Sequence, residues 1–343
     1  MQGNNKALKV MNKPDSENTC TTQPLSLKER IAYFPVNGFA SVMGMSGLSI
    51  AWQKIAPSNS ATVFIGYLLG CITTALFVFL LVSYIRKLRA YPERVKNEFN
   101  HAQLLNFFPA ISISFLLVSV IWQSALPSIA IVIWFAGTLL QLVLTLSVVN
   151  QWLFRDGFSL EQINPAWYIP AVANIIVPLS GAYFGFIETS WFFFSIGIFF
   201  WIILSTLIFK RLFFRSAKLP APLTPTLFIF LAPPSIGLIA YTGMTGSFDN
   251  IARFFYYIAL FTGLLLLTNY YRFTQLPFYL SSWAFSFPSA ALTIATIKTA
   301  TMTDKAFFWW LSCILLVLLT ALLGWLATKT IKAYINQKIC VPE

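Results

Sequence analysis

The sequence predicts an all-α integral membrane protein: ten transmembrane helices, paired as five hairpins in a quasi-fivefold ring, with the odd-numbered helices inside and lining a pore. Three observations predict it. Ten apolar windows of about 20 residues, the length an α-helix needs to cross the hydrocarbon core of a bilayer, begin near Phe34, Ala61, Leu104, Ser128, Ala166, Trp191, Pro225, Asn250, Phe278 and Lys305. Interior prolines fall in alternate windows. Basic residues collect on alternate loops, with 19 of the 23 Lys and Arg on one side.

Residues 1–30 are polar and basic with no apolar core, so they read as a cytoplasmic tail, expected to be disordered, and not as a cleaved signal. Residues 31–330 hold the ten-helix domain. Its first window, FPVNGFASVMGMSGLSIAW, begins beside Pro35 and carries Gly38, Gly44, Gly47, Ser41, Ser46 and Ser49. The third, FFPAISISF, contains Pro109, and the fifth, NPAWYIPAVANIIVPLSG, contains Pro170 and Pro178. The seventh, PTLFIFLAPPSIGLIAY, has Pro233 and Pro234, and the ninth, SSWAFSFPSAALTIATI, has Pro288. A proline inside a membrane helix leaves a carbonyl without its donor, which is tolerated against protein or water and not against lipid. The odd helices are therefore predicted inside and the even ones, free of interior proline, outside. Inner windows start 70, 62, 59 and 53 residues apart, a loose period that repeated units leave. Transporters built of two inverted halves show a different signature, a pair of broken helices at corresponding places. Residues 331–343 read as a second cytoplasmic tail.

The chain is 57% hydrophobic and 10% charged, far below the roughly 25% charged residues of soluble domains. Its net charge of +12 does not point to nucleic acid, because the cations lie in short loops and tails between apolar windows. The crowded side holds Lys6, Lys9, Lys13, Lys28 and Arg30, then Arg86, Lys87, Arg89, Arg94 and Lys96, then Arg155. It continues with Lys210, Arg211, Arg215, Lys218, Arg272, Lys329, Lys332 and Lys338, against Lys54, Arg253, Lys298 and Lys305 on the other. Under the positive-inside rule both termini are cytoplasmic, the protein is a multi-pass component of the plasma (cell inner) membrane, and the loops around Ser58, Pro127, Glu188, Gly246 and Thr301 are outside.

Enzymatic chemistry finds no support. No Asp or Glu lies in the central part of any window, which argues against proton relays. The one histidine, His101, sits in a polar loop and reads as solvated, and there is no phosphate-binding loop, HExxH or hydrolytic triad. Cys20, Cys71, Cys313 and Cys340 have no metal or disulfide spacing, so no cofactor or metal is expected.

Candidates for a path come from the inner windows: Gly44, Ser112, Asn174, Ser235 and Ser289 as lining positions, and Pro109, Pro170, Pro178, Pro233 and Pro288 as bending devices. Small and hydroxyl residues also serve close helix packing. Their concentration in the proline-bearing helices favours the pore. With no fixed charge in the predicted lumen, selectivity would rest on size and side-chain donors. A carrier would want a Lys or Arg deep in a span, and none is read there; Arg253 and Lys298 read as mouth residues.

These inner-helix strings, spread from about Ile31 to Ala327, resemble the TehA family, the tellurite-resistance and dicarboxylate transporter group that includes the plant slow-type guard-cell anion channel. The resemblance implies ten helices in quasi-fivefold hairpins, a homotrimer with one pore per subunit, and passive passage of small anions such as chloride and nitrate through the bilayer. It also implies a phenylalanine plug on the ninth helix, which falls on Phe287 within WAFSFP. Pro288 behind it follows the plant-like pattern and is the expected gate hinge. The alternative reading is a secondary transporter or exporter of dicarboxylates, sulfite or tellurite-type oxyanions.

Overall fold

The computed structural model describes residues 27–214, 219–336 and 339. Most of the expected N-terminal tail lies outside the described residues, as do Cys20, Cys340, Arg215, Lys218 and Lys338. The secondary structure of the described chain is helical, with no strand among the described residues. Eight helices are long and apolar enough to cross a membrane: Ser60–Ala90, Leu104–Trp122, Pro127–Phe154, Ile187–Phe213, Ala221–Thr245, Asn250–Leu267, Leu280–Thr303 and Ala306–Ile335.

Two of the ten expected segments take another form. Phe39–Ile55 is a helix of 17 residues reached through a 3-10 turn at Val36–Gly38. The segment with Pro170 and Pro178 is a series of short pieces, Pro165–Trp167, Tyr168–Val172, Ala173–Ile176 and Pro178–Gly181. Proline has no N–H and crowds the carbonyl four residues back, so the helical ladder restarts at each one. Hydropathy registers the apolar length and not this break.

Proline also marks where the other odd segments pass from 3-10 to α geometry. Leu104–Phe107 is 3-10 and Pro109 leads directly into Ala110–Trp122. Ala221–Leu231, with Pro225 inside, stays 3-10 for 11 residues before Ala232–Thr245, which carries Pro233 and Pro234 in its first turn. Leu280–Phe285 passes into Ser286–Thr303 with Pro288 as the third α residue. First-turn positions suit proline because their N–H groups precede the regular i→i−4 ladder.

Burial separates the two classes of helix. Leu104–Trp122, Ala221–Thr245 and Leu280–Thr303 have 83%, 72% and 72% of their most apolar stretch buried. The proline-free helices Ser60–Ala90, Ile187–Phe213, Asn250–Leu267 and Ala306–Ile335 have 28%, and Pro127–Phe154 has 33%. Large apolar side chains such as Phe64, Phe135, Phe199, Phe261 and Trp310 stand exposed on these helices, a surface that suits lipid and not water.

The buried segments touch in cyclic order. Phe39–Ile55 packs on Ala110–Trp122, which meets Ala173–Ile176 and Pro178–Gly181; these meet Ala232–Thr245, which packs on Ser286–Thr303, and that helix returns to Phe39–Ile55. The closing contact is tight, since a methyl group at Gly44 would collide with Ser286 and one at Gly47 with Ala290. Each proline-free helix packs on the buried segment before it in sequence and touches the next one.

Candidate functional site

The buried segments enclose two chambers, one toward their N-terminal ends and one toward their C-terminal ends. Ala40, Met43, Ile113, Tyr168, Val172, Ile176, Ile229, Ala232, Pro233 and Pro288 are among the residues lining the first, a narrow cavity of about 60 Å³ with no charged side chain in its wall. The second is wider, about 390 Å³, and is lined by Gly47, Ile50, Lys54, Leu117, Val120, Gln123, Pro178, Ile239, Gly243, Ala291, Ile294, Lys298 and Thr301, among others. Phe287 and Ile236 belong to both walls.

The lining follows one stripe per helix. Met43, Gly47, Ile50 and Lys54 lie three or four residues apart, as do Ile113, Leu117, Val120 and Gln123, Ile236, Ile239 and Gly243, and Phe287, Ala291, Ile294 and Lys298. Positions so spaced share a helix face, so each helix contributes a continuous edge that runs past Phe287 from one chamber to the other. The stripe is mostly apolar.

Phe287 is 8% exposed and has no aromatic neighbour among the described ring contacts. Its ring lies beside Gly47, with its Cδ2 3.7 Å from where a Cβ at that glycine would stand. Phe285 differs: its ring meets Phe228 edge-on at 4.7 Å and Phe273 at 5.8 Å. The 3-10 to α junction separates the two phenylalanines, and Ser286 between them donates from Oγ to the Trp283 carbonyl at 2.5 Å.

The five polar or small positions chosen from sequence stand off this stripe by one or two residues. Ser112 Oγ donates to Gln141 Oε1 on Pro127–Phe154 at 2.7 Å and lies 2.8 Å from the Pro109 carbonyl. Asn174 donates to the Ala171 carbonyl at 2.6 Å and to Thr145 at 3.0 Å, again toward Pro127–Phe154. Ser289 Oγ donates to the Phe285 carbonyl at 2.7 Å, Ser235 is fully buried with its hydroxyl unpartnered, and Gly44 is the contact point with Ser286. Hydroxyls in membrane helices bond to backbone carbonyls three or four residues back, which draws them to packed faces. Among the prolines, Pro233 and Pro288 border the first chamber and Pro178 the second, while the Pro170 carbonyl accepts from Thr145 at 2.8 Å and Pro109 caps Ala110–Trp122.

Lys54, Lys298 and Gln123 line the second chamber, although the sequence alone does not mark them as lining residues. Lys54 counts as a loop cation in a hydropathy reading and Lys298 as a mouth residue, yet both face the second chamber, so the enclosed space does carry fixed charge. Their place on the i, i+3, i+4 stripe with Ile50 and Ile294 was the available signal. His101 is an exposed loop residue whose Nδ1 accepts the amide N–H of Gln103 at 3.3 Å. The described cysteines, Cys71 and Cys313, are free thiols, and no metal-binding cluster occurs among the described residues.

A model of the family described as SLAC1, voltage-dependent anion channel, matches residues 33–331. The chain is similar to the S-type anion channel SLAH2 of Arabidopsis thaliana, with 31% identity over 273 residues, 77% of this chain and 52% of the relative. It is similar to the guard cell S-type anion channel SLAC1 of the same plant, 29% identical over 277 residues, 78% of this chain and 50% of the relative. To the tellurite resistance protein TehA homolog of Haemophilus influenzae it is 28% identical over 261 residues, 75% of this chain and 79% of the relative. The chain spans about half the length of these plant relatives. With the match running through every apolar segment, and with relatives of both the plant and the TehA type, the chain belongs to the SLAC1 voltage-dependent anion channel family, the group its inner-helix strings resemble.

Proposed function

We propose that the protein is a gated passive channel for small inorganic anions of the chloride and nitrate class, with the Phe287 ring as its plug. One observation carries the reading: Phe287, with Ile236 in the shared wall, borders both chambers, which apart from these two residues use different positions of the same helix faces. A benzyl ring across a narrow apolar passage offers an anion no replacement for its water, and removing a charge from solvent is expensive. Pro288 sits where the helix changes pitch, so a change in the bend at that junction moves the ring.

The pore belongs to a ring of ten helices in five hairpins, the cyclic contacts of the buried segments being its inner layer. Both termini are cytoplasmic, the first chamber opens to the cytoplasm and the second to the outside, in line with the 19 cations gathered on one side. The protein resides in the plasma membrane as a homotrimer with one pore per subunit, moves anions without catalysis or cofactor, and is organised as a channel domain over residues 31–330 between two cytoplasmic tails. One observation favours the second reading, a carrier or exporter of oxyanions: Lys54 and Lys298 together in one chamber supply the substrate-binding charge a carrier would use. Chloride flux in proteoliposomes decides between them. An electrogenic, uncoupled flux that rises on Phe287→Ala fits the channel; flux that requires a counter-substrate fits the carrier.

A further inference from the structure

Pro127–Phe154 has an apolar outer face and a polar inner one. Leu139, Val143 and Leu146 stand exposed, whereas Trp134, Gln141, Thr145 and Val148, spaced to share a face, are buried. A polar side chain in an apolar interior is unfavourable unless it is hydrogen-bonded, and here the donors reach across to the broken fifth segment. Trp134 Nε1 donates to the Val177 carbonyl at 3.0 Å, Thr145 Oγ1 to the Pro170 carbonyl at 2.8 Å, and Gln141 Nε2 to that same carbonyl at 3.3 Å. Asn174 Nδ2 donates in return to Thr145 Oγ1 at 3.0 Å. Gln141 Oε1 also accepts from Ser112 of Ala110–Trp122 at 2.7 Å, so one side chain joins two pore-wall segments. Hydroxyls in membrane helices ordinarily bond to a carbonyl of their own helix, as Ser147 does with Val143 at 2.7 Å. Thr145 bonds outward instead.

The Pro170 carbonyl is free to accept these bonds because the helical ladder breaks there. In a continuous α-helix it would accept the N–H of Asn174, but the α piece ends at Val172 and Ala173–Ile176 winds as 3-10. Deprived of outside donors, the carbonyl would capture that N–H, and the 3-10 turn would rewind as α. Passing from three to 3.6 residues per turn rotates side chains by about 80° over four residues. Val172, Ala173, Ile175 and Ile176 line the narrow chamber, and Ile113, next to Ser112, lines it from Ala110–Trp122. We infer that Gln141 and Thr145, which border neither chamber, are positioning residues: they hold the fifth segment in its 3-10 form and thereby fix the bore of the narrow chamber and the relative passage of anions of different size. Their effect on passage rests on the channel reading; the shape of the wall does not.

Two measurements separate wall from passage, both on the full chain carrying Phe287→Ala, so that the ring does not screen the chamber. Gln141→Leu and Thr145→Val remove the hydrogen bonds at nearly constant volume, and Thr145→Ser keeps the hydroxyl. Val148→Ala, apolar and on the same helix face, controls for lost packing, and Ser114→Ala, whose hydroxyl bonds to Ala110 of its own helix at 2.7 Å, controls for a lost hydroxyl. The first measurement, in detergent, follows the reaction of a small methanethiosulfonate with Ile176→Cys in a chain stripped of its own four cysteines. The rate is expected to fall severalfold in Gln141→Leu and Thr145→Val, because the rotation carries position 176 out of the chamber, and to stay at the parent value in Thr145→Ser and both controls. An unchanged rate in Gln141→Leu and Thr145→Val, or a fall shared by the controls, overturns the positioning. Thr145→Val exchanges one hydroxyl for a methyl group and is the variant to read if Gln141→Leu aggregates on size exclusion. The second measurement compares chloride and iodide flux in proteoliposomes. Their ratio is expected to shift severalfold in the two variants that lose bonds and to hold in the other three. A slowed thiol with an unaltered ratio overturns the effect on passage, whereas a slowed thiol with no chloride flux in any variant keeps the positioning and removes the channel.

Discussion

Phe287 and Phe285 are two residues apart and buried to nearly the same degree, 8% and 7% exposed, yet their surroundings differ. Phe285 stands among Phe228 and Phe273, and removing its ring leaves a cavity between packed aromatics. Phe285→Ala is expected to destabilise the protein by about 3 to 5 kcal/mol and to leave anion flux low. Phe287 borders the two chambers, so truncating it joins spaces that already exist. Phe287→Ala is expected to raise chloride conductance severalfold or more with little change in unfolding midpoint; bilayer recordings in which the two variants behave alike would defeat the plug. Lysine shows the same dependence on surroundings. Lys87 counts as one of five loop cations in the sequence, but it is fully buried, ion-paired with Glu98 and donating to the Phe34 carbonyl at 2.7 Å, while Tyr84 donates to the other Glu98 oxygen at 3.0 Å.

That cluster joins elements. It fastens the end of Ser60–Ala90 to the connecting helix Pro92–Asn100 and to the chain leading into Phe39–Ile55. Lys87→Met leaves Glu98 without its cation and is expected to cost about 3 kcal/mol, seen as a lowered thermal midpoint; an unchanged midpoint would mean that water takes over the role. At the opposite ends of the helices, Asp249 caps Asn250–Leu267 by accepting the amides of Ile251 and Ala252 at 3.0 and 3.1 Å and the Tyr241 hydroxyl at 2.6 Å. The Tyr241 hydrogen bond first, then the amide bond from Ala252, holds its carboxyl below the ordinary value of 3.8. A depressed folded pKa means a contribution to stability that is complete above the unfolded value and declines as pH falls through the folded one. Asp249→Ala is therefore expected to lower the thermal midpoint at neutral pH and to narrow its gap from the native chain below pH 3.8; a gap that stays constant as acid is added would remove this linkage.

For the whole molecule, the cation asymmetry and the exposed apolar faces make independent claims. Sidedness can be tested with single cysteines at Ser58, Gly246 and Arg89 in a chain lacking its own four. An impermeant thiol reagent applied to intact cells is expected to reach the first two and not the third, and labelling at position 89 alone would invert the protein. Assembly concerns the outer surface, where Trp309, Trp310 and Trp325 are exposed together with many Phe, Leu and Ile side chains on the proline-free helices. Part of that surface is expected to meet other subunits. Mass measurement in lipid nanodiscs is expected to give three chains, and a monomer with intact flux would exclude the trimer.

The sequence by itself determined membrane residence, the apolar segments and the division between proline-bearing and proline-free helices, because a bilayer constrains length, hydropathy and backbone satisfaction so strongly that each leaves a local mark. The prolines even marked where 3-10 geometry passes into α, since the missing N–H acts within one turn. Only the tertiary structure decided the rotational phase of each helix and the integrity of the fifth segment. Ser112, Asn174 and Ser289 are polar, but their hydroxyl and amide groups bond to carbonyls and to Pro127–Phe154, and the chamber walls pass to Ile113, Ile236 and Phe287 beside them. In an apolar helix surrounded by protein on most sides, hydrophobic periodicity carries no face, so phase is fixed by which neighbours fit. For the same reason Lys54 and Lys298 became a pair only when the helices that carry them came together around one cavity.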